Sequence, residues 1–339
     1  MKKIRLAPSG KEIEIEDDQT ILSALESAGY AISNNCRAGA CGECKTKICS
    51  GEIDQGFVLD MALPRSERDK GQALICMAKQ ISDVIEIEYA TDNALPKLFP
   101  PQEDLDYILI EKTHPTEKIV KLKFRSLDNS MRFWPGQYIL LGSSDKNASK
   151  RCYSIVNTPN SEGEIILYIS KVDDGKTSKW IHEELFEGDL VKIDGPYGTF
   201  IGDPTAEMPV LCLAAGSGLA PINSLATAAM LRGGFKYPAT IIFSAKKKSD
   251  LIDLGHFRFL EKKFRNFSYI PTLTKEKNKD CLTGRISSLL PERYKELSGF
   301  SIYIAGSTKF VTDCEKIVIS LGAQKKYIHS EKFIGQGHN

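Results

Sequence analysis

The sequence predicts a multidomain protein of α+β and α/β class: a small α+β domain, an antiparallel β-barrel, and a doubly wound parallel α/β domain. The 339 residues indicate more than one domain, because a domain usually contains roughly 100–200 residues. A hairpin and a helix come first along the chain, and a series of short strands bounded by turns follows. Strands then alternate with helices to the end.

The first domain is predicted over residues 1–92. Two runs of alternating apolar and polar side chains in residues 2–16, joined at Gly10, are typical of a β-hairpin. A stretch with helical apolar spacing ends at Gly29 and predicts a short helix. The alternation in residues 83–90 predicts another strand that completes the same sheet.

Two further domains follow a proline-rich segment. Residues 93–101 contain three prolines, which favours an extended linker. Residues 102–203 contain short β-like runs at regular spacing, separated by turn residues, and this predicts the antiparallel barrel. Residues 208–339 alternate strands with helices, which is typical of a doubly wound parallel sheet.

Composition excludes some classes of function. The net charge of +1 argues against broad electrostatic attraction to nucleic acid or to an anionic membrane. The first basic residues are followed by no apolar core, so we expect no signal peptide and a cytoplasmic location. Met208 to Leu231 carries no charge, yet it contains prolines, glycines and hydroxyl residues that fit a strand, a tight turn and a helix better than a membrane span.

Four cysteines have the spacing of an iron–sulfur site. Cys36, Cys41 and Cys44 form a C-x4-C-x2-C pattern, and Cys76 follows later in the chain. This is the plant-type spacing for a [2Fe–2S] cluster, and the small residues between the first three cysteines let a loop wrap closely around it. Zinc is the alternative, but zinc sites usually contain two C-x2-C pairs, and here there is one.

A second set of motifs lies in the predicted barrel. Arg151, Tyr153 and Ser154 form an R-x-Y-S pattern, preceded by Pro-Gly-Gln-Tyr at 135–138 and followed by Gly-Lys-Thr-Ser at 175–178. In this order the motifs resemble those of the ferredoxin–NADP reductase superfamily, which implies FAD binding. Arg151 can neutralise a pyrophosphate, Tyr153 offers an aromatic face, and the Ser154 hydroxyl can reach the flavin edge. The other predicted contacts to the FAD pyrophosphate are backbone N–H groups around Gly175 and the hydroxyl groups of Thr177 and Ser178.

A glycine-containing loop follows the first apolar strand of the third domain. Glycines between a strand and a helix let the backbone approach a pyrophosphate at the helix N-terminus. The loop resembles the G-[ST]-G-x-A-P nicotinamide-nucleotide loop of the same superfamily. The residues predicted to bind the nucleotide are Gly216, Ser217, Gly218, Ala220 and Pro221.

Two more segments, both near the C-terminus, also resemble the superfamily. Gly306 lies where relatives bring the backbone close to the nicotinamide, but Ala305 and Ser307 replace their usual cysteine and proline. Phe333 ends an E-x-F sequence whose aromatic ring packs near the flavin in relatives. The resemblance therefore implies that Ser154, Tyr153 and Phe333 lie at the catalytic centre.

The order of the motifs resembles the reductase components of bacterial multicomponent oxygenases. The resemblance implies a β-grasp-like [2Fe–2S] ferredoxin domain, an antiparallel β-barrel FAD domain and a doubly wound parallel α/β nucleotide domain. It implies electron transfer from NADH, with NADPH as an alternative donor, through FAD and the cluster to a terminal oxygenase or another iron-containing acceptor protein.

Two other functions stay open. The chain is also similar to the reductase that serves a CDP-6-deoxy-hexulose dehydrase in deoxysugar synthesis. Alternatively, the replacements at Ala305 and Ser307 suggest a redox-sensing protein without turnover.

Overall fold

The computed structural model describes residues 2–89, 94, 97–128, 130–203 and 206–333. The chain forms two compact units. One comprises Met1–Gln102 with Gly195–Thr199, and the other comprises Glu103–Asp194 with Phe200–Asn339. The predicted barrel and α/β domains thus belong to one unit, and part of the predicted linker at 93–101 lies outside the described residues.

The first unit is built on a mixed sheet with strand order β2-β1-β7-β3-β5, in which β1 and β7 are parallel. It confirms the predicted hairpin, helix and closing strand. A two-stranded sheet, β4-β6, lies in the same unit. Its elements are β1 (Lys2–Ala7), β2 (Lys11–Ile15), α1 (Ile21–Ser27), β3 (Lys45–Ser50), β4 (Ile53–Asp54), α2 (Arg65–Arg68), β5 (Gln72–Leu74), β6 (Lys79–Gln80) and β7 (Val84–Glu88).

The hairpin and helix form because their apolar residues meet in one core. Ile4 and Leu6 of β1 and Ile13 and Ile15 of β2 are buried, and they belong to the core that also contains the apolar residues of α1. The helix begins where the Thr20 hydroxyl accepts a hydrogen bond from the Ser23 N–H at 3.2 Å, which satisfies one of the free donors of the first turn.

The barrel occupies the first part of the second unit. Its six-stranded sheet has the order β11-β10-β13-β8-β9-β12, and a bridge between Ile155 and Leu167 joins the two ends. The predicted antiparallel barrel is therefore confirmed. The elements are β8 (Gln102–Thr113), β9 (Ile119–Ser126), β10 (Tyr138–Ser143), β11 (Ala148–Ser154), β12 (Glu164–Ser170), α3 (Lys176–Glu183) and β13 (Leu190–Tyr197).

The α/β part of the second unit contains a parallel sheet with the order β17-β16-β15-β14-β18-β19. The chargeless stretch from residue 208 forms β14, a 3₁₀ turn at Gly216–Gly218, and α4, as the sequence predicts. The elements are β14 (Val210–Ala215), α4 (Leu219–Leu231), β15 (Ala239–Ala245), α5 (Leu254–Lys263), β16 (Phe267–Leu273), β17 (Leu282–Thr283), α6 (Ile286–Arg293), β18 (Ser301–Ser307), α7 (Thr308–Ser320) and β19 (Ile328–Phe333).

Alternate residues of β14 enter two different cores. Cys212 and Ala214 pack in the core that contains residues of α4 and α5, whereas Leu211 and Leu213 pack in the core that contains residues of α6 and α7. Helices therefore cover both faces of the sheet, which confirms the doubly wound prediction. The strand order reverses at β14, and its carboxyl end is where such sheets bind nucleotides. Within the described part of the chain, every helix is too short or too polar to cross a bilayer.

Candidate functional site

The four predicted cluster ligands come together in the first unit as two pairs of thiols. Cys36 hydrogen-bonds with Cys41, and Cys44 with Cys76, while charge interactions link one pair to the other. Two pairs suit a cluster of two iron ions that needs four thiolates.

The loop directs hydrogen-bond donors at the sulfur atoms. The Cys41 thiol and the N–H groups of Ala38 and Ala40, at 3.5 and 3.4 Å from Cys36 Sγ, lower the pKa of Cys36 to about 5. The Cys44 thiol, together with the Gly39 N–H, likewise lowers the pKa of Cys76. The thiol that donates in each pair shows the opposite effect, since its contact with the accepting sulfur raises the pKa of Cys41 and of Cys44. The backbone N–H groups aimed at the sulfur atoms favour thiolates, and this feature of the loop fits an anionic iron–sulfur cluster.

Gly39 is required by the loop geometry. Its φ is +67°, and a Cβ there would lie 2.7 Å from the Phe57 carbonyl oxygen, so no other residue fits without rearrangement. The loop is also anchored by Glu26 of α1, which the sequence did not single out. Both Glu26 oxygens accept from Arg37 Nη1, at 2.7 and 2.8 Å, and Asn34 Nδ2 donates to Oε1 at 3.0 Å. Glu26 is buried, so it holds the loop to α1 from inside the unit.

The residues of the R-x-Y-S motif lie at the end of β11. Arg151 and Tyr153 share one face of the strand, and Ser154 points to the other, because side chains alternate along a strand. Burial raises the pKa of Tyr153, and the nearby charge of Arg151 partly opposes this increase. The motif thus presents a cation and an aromatic ring side by side, which suits a flavin pyrophosphate and ring system.

Ser154 meets a residue that the sequence analysis left without a role. Its Oγ lies 3.3 Å from both carboxyl oxygens of Glu331 in β19, and the two residues are 177 positions apart in the chain. Glu331 is buried, and this burial raises the pKa of its carboxyl to about 8. At neutral pH the carboxyl therefore keeps its proton, and the Ser154–Glu331 pair can hold a proton beside the flavin motif. The E-x-F sequence was the available signal, but it directed attention to Phe333.

In the segment after β12, the hydroxyl groups of Thr177 and Ser178 form hydrogen bonds with the backbone of the protein. The Thr177 hydroxyl donates to the Ser149 carbonyl oxygen at 2.8 Å. The Ser178 hydroxyl accepts from Val172 N–H at 3.1 Å and lies 3.0 Å from the Gly175 carbonyl oxygen. Both side chains are buried and shape the start of α3. No side chain caps the N-terminus of α3, so its first N–H groups are the donors that fit a pyrophosphate.

The two glycines of the nucleotide turn serve different purposes. Gly216 has a φ of +56°, and a Cβ there would meet no atom within 4 Å, so this position borders open space. Gly218 packs tightly, since a Cβ would lie 2.2 Å from the Ala305 carbonyl oxygen. No side chain caps the following helix α4, whose N-terminal N–H groups suit the phosphates of a nucleotide. Ser217 joins the turn to β12 through Ser170 Oγ at 3.0 Å, and Ala220 and Pro221 are buried in α4.

The positions that depart from the superfamily pattern have local explanations. Ala305 is fully buried in β18, directly against Gly218. Ser307 is the N-cap of α7, where its hydroxyl accepts from the Phe310 N–H at 3.4 Å. Gly306 follows Ala305 with a φ of +156°, and Phe333 pairs with Ser307 in the β18–β19 ladder. Gly306, Ser307 and Phe333 therefore lie together at the carboxyl end of the sheet, close in register to Glu331.

Family models match all three parts of the chain. A 2Fe-2S iron-sulfur cluster binding domain matches residues 4–79, an oxidoreductase FAD-binding domain matches residues 107–201, and an oxidoreductase NAD-binding domain matches residues 212–316. These matches confirm the predicted [2Fe–2S], FAD and nicotinamide nucleotide cofactors. They also decide against the zinc alternative.

Individual proteins match over most of the chain. The reductase component of phenol 2-monooxygenase from Pseudomonas sp. (strain CF600) is 32% identical over 80% of this chain and 75% of its own length. The CDP-6-deoxy-L-threo-D-glycero-4-hexulose-3-dehydrase reductase of Yersinia pestis is 28% identical over 98% of each chain. The crystal structure of the Amycolatopsis cytochrome P450 reductase GcoB superposes with a TM-score of 0.88, at 26% identity, over 98% of this chain and 99% of that one.

The matched domains follow one another in the order that the motifs predicted. The chain belongs to the family of flavin- and iron–sulfur-dependent reductase components of multicomponent oxygenases.

Proposed function

We propose that this protein oxidises NADH and delivers the electrons singly to the oxygenase component of a multicomponent system. The observation that carries the proposal is that one chain contains two sites. One is a group of four thiols suited to a one-electron cluster. The other is a flavin motif whose Ser154 pairs with the buried Glu331 of the nucleotide domain. When bound, FAD accepts the two electrons of a hydride and a [2Fe–2S] cluster accepts one at a time, so the flavin converts between the two.

We assign the residues of this chain to binding, orientation and proton holding. Arg151 and the N-terminus of α3 would hold the FAD pyrophosphate, and Gly175, Thr177 and Ser178 would keep that helix in place. Tyr153 and Phe333 would bound the flavin ring. Ser154 would donate its hydroxyl hydrogen to a flavin ring nitrogen or accept from it, with the Glu331 carboxyl behind it as proton store.

The nucleotide would lie across the carboxyl end of β14. The N–H groups that follow Gly216 suit its pyrophosphate. The turn and the first helical residues that present them include Ser217, Gly218, Ala220 and Pro221. Gly306 leaves room for close approach of the nicotinamide. Ala305 and Ser307 have structural roles of their own, and this supports the reductase function over the redox-sensor alternative.

We assign NADH rather than NADPH as the donor. Asp250 accepts from the Lys247 N–H at 3.0 Å and Glu276 from the Lys248 N–H at 2.9 Å, so both acidic side chains lie at the end of β15, where the adenosine ribose of a nucleotide is read. The neighbouring lysines are exposed, as a solvated charged segment would be. We place the reaction in the cytoplasm, where all nine free cysteines would stay reduced.

A second acceptor is supported by the Yersinia relative, whose own name assigns it to a sugar dehydrase. The two acceptors are separated by mixing the NADH-reduced protein anaerobically with a purified phenol-type oxygenase component or with a purified CDP-hexulose dehydrase. We expect reoxidation of the cluster by the oxygenase at least ten times faster than by the dehydrase. The opposite order would assign the chain to deoxysugar synthesis.

A further inference from the structure

One carboxylate joins the α/β domain to the barrel. Asp253 lies just before α5, and its Oδ2 accepts from the Tyr168 hydroxyl and from Asn223 Nδ2 at 3.2 Å. Its Oδ1 lies 3.3 Å from Lys121 Nζ. Tyr168 and Lys121 belong to the barrel, whereas Asn223 belongs to α4. A single side chain therefore connects three elements from two domains.

The barrel side of this junction is prearranged. Tyr168 and Lys121 are directly opposed in the β9–β12 pairing, and the Lys121 ammonium lies 5.8 Å from the centre of the tyrosine ring. Tyr168 is buried, and burial together with the nearby Asp253 carboxylate keeps its pKa well above the ordinary value, so its hydroxyl stays a donor. The surrounding apolar residues form one core that includes Val156 and Phe200 of the barrel segment and the apolar side chains of α4 and α5.

The α/β side of the junction is held in an unusual backbone conformation. Asp253 has φ 48° and ψ 30°, in the left-handed region that few residues other than glycine, asparagine and aspartate adopt readily. This conformation is unfavourable for a residue with a side chain, and the three contacts of the carboxylate offset its cost. In this conformation the Asp253 side chain reaches Tyr168 and Lys121 of the barrel.

The same strand of the barrel also touches the nucleotide turn. Ser170 lies two residues after Tyr168 on β12, on the same face, and its hydroxyl meets Ser217 Oγ at 3.0 Å. Asn223, which Asp253 holds, is in the helix that begins at this turn. A further bond runs from Ser224 Oγ to the Asn157 carbonyl oxygen at 2.8 Å. β12 therefore fixes both the turn and the helix behind it.

We propose that Asp253 is a positioning residue for hydride transfer: through Tyr168, Lys121 and Asn223 it fixes the nucleotide turn relative to the flavin-binding barrel. The inference rests on the proposed oxidation of NADH. Transfer between two bound rings needs reacting atoms roughly 3–3.5 Å apart, and a displacement of about 1 Å can cost a hundredfold in rate. The N–H groups that would bind the nucleotide lie in the turn and at the start of α4, whereas Asn223 and Asp253 lie behind them. We therefore expect loss of the junction to change the rate of transfer more than the affinity for NADH.

The test is anaerobic stopped-flow reduction of the FAD-loaded full-length protein by NADH, with the Asp253→Asn and Tyr168→Phe variants and the double variant. We expect each single variant to lower the limiting rate of flavin bleaching about tenfold, with the apparent Kd for NADH and the FAD content within about twofold of the parent protein. The limiting rate of the double variant should be little lower than that of the slower single variant, because both changes break one junction.

A matched pair of lysines on β9 provides the control. Lys121→Met removes the contact to Asp253, whereas Lys123→Met removes a lysine whose carboxylate partner, Glu111, is in the barrel, at 3.6 Å. Only Lys121→Met should slow bleaching.

Three results would overturn the proposal. These are unchanged limiting rates in both Asp253→Asn and Tyr168→Phe, a raised Kd with an unchanged rate, or equal slowing by Lys123→Met. A parent protein that NADH does not bleach at all would instead refute the proposed function.

Discussion

At the residue scale, three acidic side chains each join two different segments of the chain. Glu26 holds the cysteine loop, Asp253 joins the α/β domain to β12, and Glu331 meets Ser154 at the flavin motif. Each accepts hydrogen bonds from groups that other elements supply, and Glu26 and Glu331 are buried. A buried carboxyl without such partners would strongly destabilise the fold, so these contacts stabilise the places where the segments meet.

Glu331 gives a prediction about pH. Its folded pKa of about 8 lies above the ordinary value of 4.5, so between these pH values the unfolded chain releases a proton that the folded chain keeps. Ionisation of Glu331 in the unfolded chain therefore lowers the free energy of unfolding as pH rises from about 5 to 8. At about 1.4 kcal/mol per pKa unit, the loss is at most about 5 kcal/mol. Glu331→Gln removes this ionisation, so the melting temperature of the variant relative to the parent should rise over this range.

The matched control for this experiment is Glu162→Gln, which changes an exposed glutamate in the same unit. Its melting temperature should follow the parent at every pH. If Glu331→Gln also followed the parent in parallel from pH 5 to 8, the carboxyl would be ionised in the folded protein, and its assignment as a proton store would be wrong.

The cysteine loop gives a second prediction at this scale. Cys41→Ser should abolish the cluster's visible absorption and reduce electron delivery to an acceptor at least tenfold, while NADH still bleaches the flavin at close to the parent rate. Cys49→Ser makes the same chemical change at an exposed cysteine of β3 and should leave both signals intact. Loss of flavin bleaching in Cys41→Ser would show that the two centres are not separable.

At the scale of elements, helix α3 is held at both ends. Thr177 and Ser178 hold its first turn through the backbone of Ser149 and Val172, and Lys112 of β8 contacts its C-terminal end. The Lys112 ammonium donates to the carbonyl oxygens of Ile181 at 2.9 Å, His182 at 3.0 Å and Leu185 at 2.6 Å. A cation at this end satisfies carbonyl groups that the helix leaves free and interacts favourably with its dipole. The lysine thereby fixes the helix whose opposite end would bind the FAD pyrophosphate.

Replacing Lys112 by Met should therefore lower the free energy of unfolding by about 1–2 kcal/mol and weaken FAD retention. Denaturant titration and the flavin content after gel filtration measure these two effects. Lys118→Met, which alters an exposed lysine of the turn that follows β8, is the control and should change neither. If Lys112→Met retained as much FAD as the parent protein, flavin binding would not depend on the position of α3.

The elements that the sequence predicted well are those with a local signal. Alternation gave the hairpin of the first unit, and the chargeless strand–turn–helix from residue 208 was recognisable from its apolar residues and glycines. Thr177 and Ser178 were predicted to bind FAD through their hydroxyl groups, but both hydroxyls form internal hydrogen bonds. The partner of Thr177 is Ser149, which is 28 positions away, so no local pattern could reveal that contact. The partners of Ser178, Val172 and Gly175, are local, but the motif itself does not distinguish a hydroxyl that binds a ligand from one that binds the backbone.

At the scale of the whole molecule, sequence spacing predicted the cluster ligands because all four sulfur atoms belong to one short unit. The Ser154–Glu331 and Tyr168–Asp253 contacts span 177 and 85 residues, and no local pattern indicates them. They depend on the barrel and the α/β domain sharing one core. The order of cofactors was therefore predictable, whereas the residues that couple the flavin and nucleotide sites required the tertiary structure.

The central claim is that one chain converts the paired electrons of NADH into single electrons. Anaerobic titration of the holoprotein with NADH, followed by visible absorption and by electron paramagnetic resonance of the cluster, tests it most directly. Since FAD takes two electrons and the cluster one, full reduction should consume about 1.5 equivalents of NADH per chain and produce one paramagnetic cluster. An endpoint at one equivalent without a cluster signal, or no spectral change at all, would contradict the claim.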